Sequence, residues 1–191
     1  MRLFYTPASP YARIVRIIIL ELGLNARVQL EIVSLRDRHS ELLKYNPIGK
    51  VPTLETDDQF ILVETELICR YLNQLNPDIA LFPEPNDLFA QHLYGMTTSF
   101  LEGVCTWARE YLRPCHEQSL AIIDLEQLRA SRCLDYFEKI AHKLGQNLSL
   151  THVILAVALS MEKQTNWLWQ PNYPQLAIWY QQFCQCPSMR I

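Results

Sequence analysis

The stretch Asn46-Pro47-Ile48-Gly49-Lys50-Val51-Pro52-Thr53-Leu54 decides the reading of the fold, because an otherwise good strand here opens on a proline. Inside a sheet a proline removes a ladder donor, so Pro52 asks for an explanation. A cis Val51-Pro52 bond supplies one. It turns the backbone of residue 51 outward and leaves its N–H and C=O open to an extended peptide, taken up as an added strand. An ordinary trans proline at a strand edge is the alternative.

Downstream, Val63-Glu64-Thr65 marks the place where strand chemistry gives way to a helix. A helix N-terminus presents free N–H groups and a favourable field for an anion. Glu64 adds a carboxylate for an ammonium group, so a ligand end bearing both charges would meet complementary partners. Read locally, the same two residues are helix caps. Upstream, Thr6-Pro7-Ala8-Ser9-Pro10-Tyr11-Ala12-Arg13 sets Ser9 as the N-cap of a first helix with Pro10 in its first position. The Ser9 hydroxyl either caps that helix or donates to a bound thiolate.

The remaining periodicities complete an order. Leu3 to Tyr5 is a short β-prone run; Ile14, Ile17, Ile18 and Leu22 recur at helical spacing and stop at Gly23. Val28, Leu30 and Ile32 alternate as a strand does, Ser40 to Tyr45 is helical, and Val51 to Glu55 and Phe60 to Val63 are strands turned at Asp57-Asp58. Glu64 to Leu72 predicts another helix. Strand, helix, strand, helix, strand, strand, helix is the order of an α/β thioredoxin-like domain, placed here at residues 1–75. The segment NPDIALFPEPN, residues 76–86, holds three prolines and reads as a stiff linker. Residues 87–191 are helical in period throughout, over about Asp87 to Glu110, Gln118 to Lys143, Leu150 to Lys163 and Gln175 to Cys184, which predicts an all-α second domain.

Composition narrows the function classes. In 191 residues, 49% are hydrophobic, enough for a core. Seventeen basic and 20 acidic residues are scattered to a net charge of −3, which leaves no electrostatic footprint for nucleic acid. The apolar run around Ile17 to Leu20 is broken by Arg16 and Glu21 and is too short for a membrane span, and no cleavage site of a signal peptide follows it. Six cysteines without a C-x-x-C pair predict reduced thiols and a cytoplasmic protein. Cys115-His116 and Cys184-x-Cys186 have poor spacing for zinc, so no metal is assigned.

With these residues in view, the chain resembles the glutathione transferase superfamily. NPIGKVPTLE and VETELICRYL follow that family's motifs, and SPYARIVR is similar to its serine-type bacterial and plant members. In the second half WAREYLRP, the long helix to Lys143, LSLTHVILAVAL and YPQLAIWYQQFCQCPSM resemble the family's helical domain. The resemblance implies glutathione as co-substrate, with the Val51 backbone pairing with its cysteinyl part, Glu64 and Thr65 holding its γ-glutamyl end, and the Ser9 hydroxyl activating its thiol. Lys50, or less directly His39, would reach the glycine carboxylate. The thiolate would conjugate to a small hydrophobic electrophile, or serve a related peroxidase or isomerase step. A pocket for that electrophile is expected where the helical domain faces Ser9, with Tyr11, Trp107 and Tyr111 as aromatic candidates that are equally readable as core. A homodimer is expected as well, with neither nucleic-acid nor membrane partners. Because fold does not fix function, a catalytically silent binding or regulatory protein is the alternative.

Some positions depart from the family pattern. Thr65 stands where serine is usual and preserves a hydroxyl. His152 replaces the usual aspartate of the capping box opened by Ser149 or Thr151, which removes a carboxylate from a folding device. Tyr5 keeps a tyrosine-type mechanism open but lacks that type's aromatic-glycine-arginine context, and no cysteine near Ser9 supports thiol exchange.

Overall fold

Residues 1–191 are all described by the computed structural model, and the chain divides into two compact units, Met1–Ala80 with Ile191 and Leu81–Arg190. In the first, β1 (Arg2–Tyr5) leads through a turn into α1 (Pro10–Glu21). Ser9 begins α1: its extended backbone and its Oγ, which accepts from the Ala12 N–H at 3.2 Å, satisfy one of the donors a helix start leaves open. At the other end Gly23, with φ +68°, lets the chain fold back. The Gly23 N–H donates to the Leu20 carbonyl at 3.0 Å and the Leu24 N–H to that of Ile19 at 2.9 Å, a Schellman ending that glycine permits without strain. Between these signals Ile14, Ile17 and Ile18 are completely buried, each worth about 1.5–3 kcal/mol of transfer free energy.

Next come β2 (Gln29–Ile32), a 3₁₀ turn at Glu41–Lys44, β3 (Thr53–Glu55), β4 (Ile61–Val63) and α2 (Thr65–Gln74). The strands form one mixed sheet in the order β2-β1-β3-β4, with β1 parallel to β2 and antiparallel to β3, and β3 antiparallel to β4. Leu3 pairs with Leu30 on one side and Leu54 on the other, while Leu54 faces Leu62. The α/β class expected from the sequence is the class found. Strand boundaries are shorter than the apolar runs suggested, since β3 pairs from Thr53 rather than Val51.

The second unit is helical: α3 (Leu88–Tyr111), α4 (Leu120–Ile140), α5 (Leu150–Leu159), α6 (Glu162–Thr165) and α7 (Pro174–Phe183), joined by short 3₁₀ turns. Nine of the ten residues of α5 are buried, so it is the central helix, with α3 packed along it. The single helix expected from Leu150 to Lys163 is two. Ser160 is the C-cap of α5, its N–H still donating to the Ala156 carbonyl and its Oγ to the Val157 carbonyl at 2.7 Å, and Asn166 at φ +51° closes α6. No helix is long and apolar enough to cross a membrane.

Candidate functional site

The register of the sheet brings the candidate residues of the first unit to one end. Phe4 of β1 faces Thr53 of β3, and Thr53 faces Val63 of β4. Continuing each strand past that pairing leads from β1 to the turn before Ser9, from β3 back to Pro52 and Val51, and from β4 on to Glu64 and Thr65. Because β3 and β4 are antiparallel, Val51 and Thr65 both leave the sheet over the same edge. A packed cluster ties this end together, with Val51 beside Phe4, Leu42 and Ala12, the last of these in the first turn of α1.

The approach to Val51 is organised by an amide. Asn46 is 2% exposed. Its Nδ2 donates to the Lys50 carbonyl at 3.1 Å and to Thr53 Oγ1 at 2.9 Å, while its Oδ1 accepts from the Ile48 N–H at 3.0 Å. Thr53, fully buried, donates its own hydroxyl to the same Lys50 carbonyl at 2.8 Å. The tight turn inside the loop needs Gly49, whose φ is +66° and whose N–H donates to the Asn46 carbonyl at 2.9 Å. The Val51-Pro52 bond is cis. Since the ladder of β3 begins only at Thr53, the Val51 main chain lies outside it, while the Val51 side chain is 9% exposed in the cluster below.

Glu64 has φ +72° and ψ 128°, a conformation that a residue with a Cβ adopts at a cost of about 1–3 kcal/mol and that collects at ligand sites. Its side chain makes no capping hydrogen bond to α2, which removes the purely local explanation for its identity. It is exposed, and Thr65 behind it is half-buried as the first residue of α2. The start of α2 therefore has no side-chain cap of its own. One turn further on, burial pushes the Cys69 thiol well above its ordinary value, so this sulfur stays protonated and is no competing nucleophile.

Ser9 is half-buried and accepts from Ala12, which leaves its own O–H proton available for donation. Lys50 has an exposed side chain even though its carbonyl is held by two donors. His39 lies exposed in the loop after β2. Tyr5 is half-buried with the Arg16 guanidinium 4.7 Å from its ring centre. Tyr11 is half-buried in the first turn of α1. In the second unit Trp107 is 1% exposed and packs on Trp167, with ring centres 5.3 Å apart, so it is a core residue there; Tyr111, at 37% exposed, stands at the surface end of α3. Sequence reasoning quoted Asn46 and Thr53 but gave them no part. The available signal was two polar residues flanking a strand-opening proline, without anything to say that both turn inward.

Residues 3–80 match the glutathione S-transferase N-terminal domain. Over 99% of its length the chain superposes on a glutathione transferase family member from Pseudomonas fluorescens Pf-5, crystallised with glutathione, at TM-score 0.86 and 27% identity, covering 96% of that protein. A glutathione S-transferase from Methylobacillus flagellatus, also with glutathione bound, superposes at TM-score 0.85 and 25% identity over 99% of this chain and 96% of its own. The chain is also 25% identical over 140 residues to the uncharacterized GST-like protein YibF of Escherichia coli K12, covering 72% of this chain and 68% of YibF. The sheet end that gathers Val51 and Thr65 lies within residues 3–80, which match the glutathione S-transferase N-terminal domain, and the helices that follow are included in both superpositions, so the chain as a whole is similar in fold to these two transferases.

Proposed function

We propose that the chain is a glutathione transferase that adds the glutathione thiolate to a small hydrophobic electrophile. The observation that carries this reading is the convergence at one sheet end of an unpaired stretch of main chain at Val51 and an uncapped helix start at Thr65. The Val51 main chain accepts the cysteinyl part of glutathione as an added strand. The α2 N-terminus and the Thr65 hydroxyl take the γ-glutamyl carboxylate, the Glu64 carboxylate takes its ammonium, and Lys50 reaches for the glycine carboxylate. Glutathione bound to the two superposed relatives supports the assignment.

Ser9 then acts on the sulfur. A thiol of pKa about 8.5 is only a few per cent ionised at neutral pH, and lowering it by about 2 units, worth roughly 2.7 kcal/mol, makes most of it thiolate. A charged hydrogen bond from Ser9 Oγ, reinforced by the N-terminus of α1, is of that size. The roughly 25-fold gain in thiolate shrinks to about threefold because nucleophilicity falls with pKa at a slope of about 0.4 to 0.5. Further acceleration rests on holding sulfur and carbon in line, with Tyr11 as the aromatic nearest to Ser9 in sequence. The sulfur forms the new bond to carbon as the leaving group departs, and a peroxidase or isomerase step would draw on the same thiolate. None of the six cysteines is joined in a disulfide, which suits a reducing compartment, and we place the protein in the cytoplasm as a homodimer without nucleic-acid or membrane partners.

Retention on immobilised glutathione followed by conjugation to an aryl halide tests the reading. Turnover is expected, with a Ser9→Ala variant raising the pKa of the bound thiol towards its free value. Failure of the wild type to bind glutathione would favour a silent binding or regulatory protein instead, and an unchanged thiol pKa in the variant would remove Ser9 from the chemistry.

A further inference from the structure

A peptide unit is planar, so the direction of its N–H follows from the direction of its C=O. The carbonyl of Lys50 and the N–H of Val51 belong to one such unit. That carbonyl is gripped twice, by Asn46 Nδ2 at 3.1 Å and by Thr53 Oγ1 at 2.8 Å, and the two gripping side chains are themselves joined at 2.9 Å. Both are almost fully buried, so each donor is committed to this arrangement and water does not compete for it. Asn46 is fixed in turn by the Ile48 N–H on its Oδ1 and by its own N–H on the Leu42 carbonyl at 2.8 Å. Nothing else in the loop holds this plane, because the sheet ladder starts two residues later.

We propose that Asn46 and Thr53 are positioning residues that aim the Val51 N–H at the cysteinyl carbonyl of glutathione by locking the Lys50–Val51 peptide plane from behind. This rests on the glutathione site proposed above and adds a requirement to it: the affinity of the main-chain contact depends on two side chains that never touch the ligand. The two residues divide the work. Asn46 spans the loop and sets its shape, whereas Thr53 contributes one hydroxyl at the first rung of β3.

The two roles separate in a ligand cycle. Equilibrium binding of glutathione is compared with that of an analogue whose cysteinyl-glycine amide is replaced by a CH2–NH linkage, which removes the acceptor carbonyl. Thr53→Val keeps shape and burial while deleting the hydroxyl, and Thr53→Ser restores it; Asn46→Ala removes the second grip. Thr53→Val is expected to weaken glutathione binding about tenfold and Asn46→Ala by at least as much, with Thr53→Ser close to wild type. Binding of the analogue is expected to be the same for wild type and Thr53→Val, because the aimed donor then has no acceptor. Equal weakening of both ligands would mean that the residues only hold the loop together, and would overturn the proposal, as would unchanged glutathione binding by Thr53→Val. A wild-type protein that binds no glutathione would overturn the site itself and this inference with it, whereas tight wild-type binding with indifferent variants would leave the site standing and sink the inference alone.

Discussion

His152 is the residue whose chemistry departs furthest from the device it sits in. Ser149 caps α5 by accepting from the His152 N–H at 3.2 Å, so His152 occupies the third helical position, where a carboxylate would return a bond to the cap. Its ring instead meets two other segments. Nδ1 lies 2.7 Å from the Asn147 carbonyl and so carries the proton of a neutral imidazole, while Trp179 and Phe183 of α7 face the ring at 5.7 and 5.9 Å between centres. Burial lowers the pKa below its ordinary value, only partly opposed by that hydrogen bond, and a positive charge at a helix N-terminus would be unfavourable besides. A histidine with a depressed folded-state pKa contributes its full stability above the unfolded value of about 6.5. That contribution drains away as the pH falls below it, because the unfolded chain takes up the proton first. The melting temperature of the wild type is therefore expected to fall more between pH 7.5 and 5.5 than that of His152→Gln. Equal falls would show that this ring is not coupled to folding. The substitution was visible in the sequence, but its consequence was not: the missing carboxylate was legible, and the carbonyl and two rings that receive the imidazole belong to a loop and a helix that the local pattern does not connect.

Among the elements, α1 and α3 begin on signals written within three residues, Ser9 to Ala12 and Asp87 to Ala90 at 3.0 Å, and so both starts were readable from spacing alone. The start of α7 has no such signal. The helix expected from Gln175 begins one residue earlier, at Pro174, and Tyr173 before it offers no side-chain cap. The missing acceptor comes from α4, where Glu138 receives the Gln175 N–H at 3.0 Å and the Leu176 N–H at 2.8 Å. One carboxylate thus closes two open donors and pins two helices together. Glu138→Ala is expected to lower the unfolding free energy by about 1–2 kcal/mol in a denaturant titration, with Glu138→Gln losing less because one acceptor oxygen remains. An unchanged midpoint in the alanine variant would show that water caps α7 equally well. Asn46 and Thr53 escaped the sequence reading for the same reason as Glu138. A side chain that completes another segment's hydrogen bonds leaves no periodic trace, whereas the strand and helix order of the first unit did, through Leu3, Leu54 and the isoleucines of α1.

On the scale of the whole molecule, what stays uncovered matters as much as what is buried. In the second unit Ile122, Leu125 and Leu128 lie three residues apart along one side of α4, and each keeps more than a third of its surface in water, at 38%, 44% and 60%. Residues of α3 and α4 also line a groove of about 500 Å³, among them Met96, Phe100, Glu126, Arg129 and Cys133. The homodimer proposed with the transferase reading would cover such a stripe with a second copy of the chain. Sedimentation equilibrium is then expected to report about twice the 22.3 kDa of one chain. Lysine at both Leu125 and Leu128 would place like charges against each other across a two-fold axis, since an isologous interface presents the same patch from both sides. The double variant should sediment as a single chain with unchanged helical circular dichroism, because both side chains already reach solvent and their loss leaves the unit's own core intact. A wild type that sediments at 22.3 kDa would refute the dimer. A double variant that remains dimeric would move the interface off this face of α4 and onto another exposed apolar site, such as Phe60 before β4 or Leu67 on α2, which are 72% and 54% exposed.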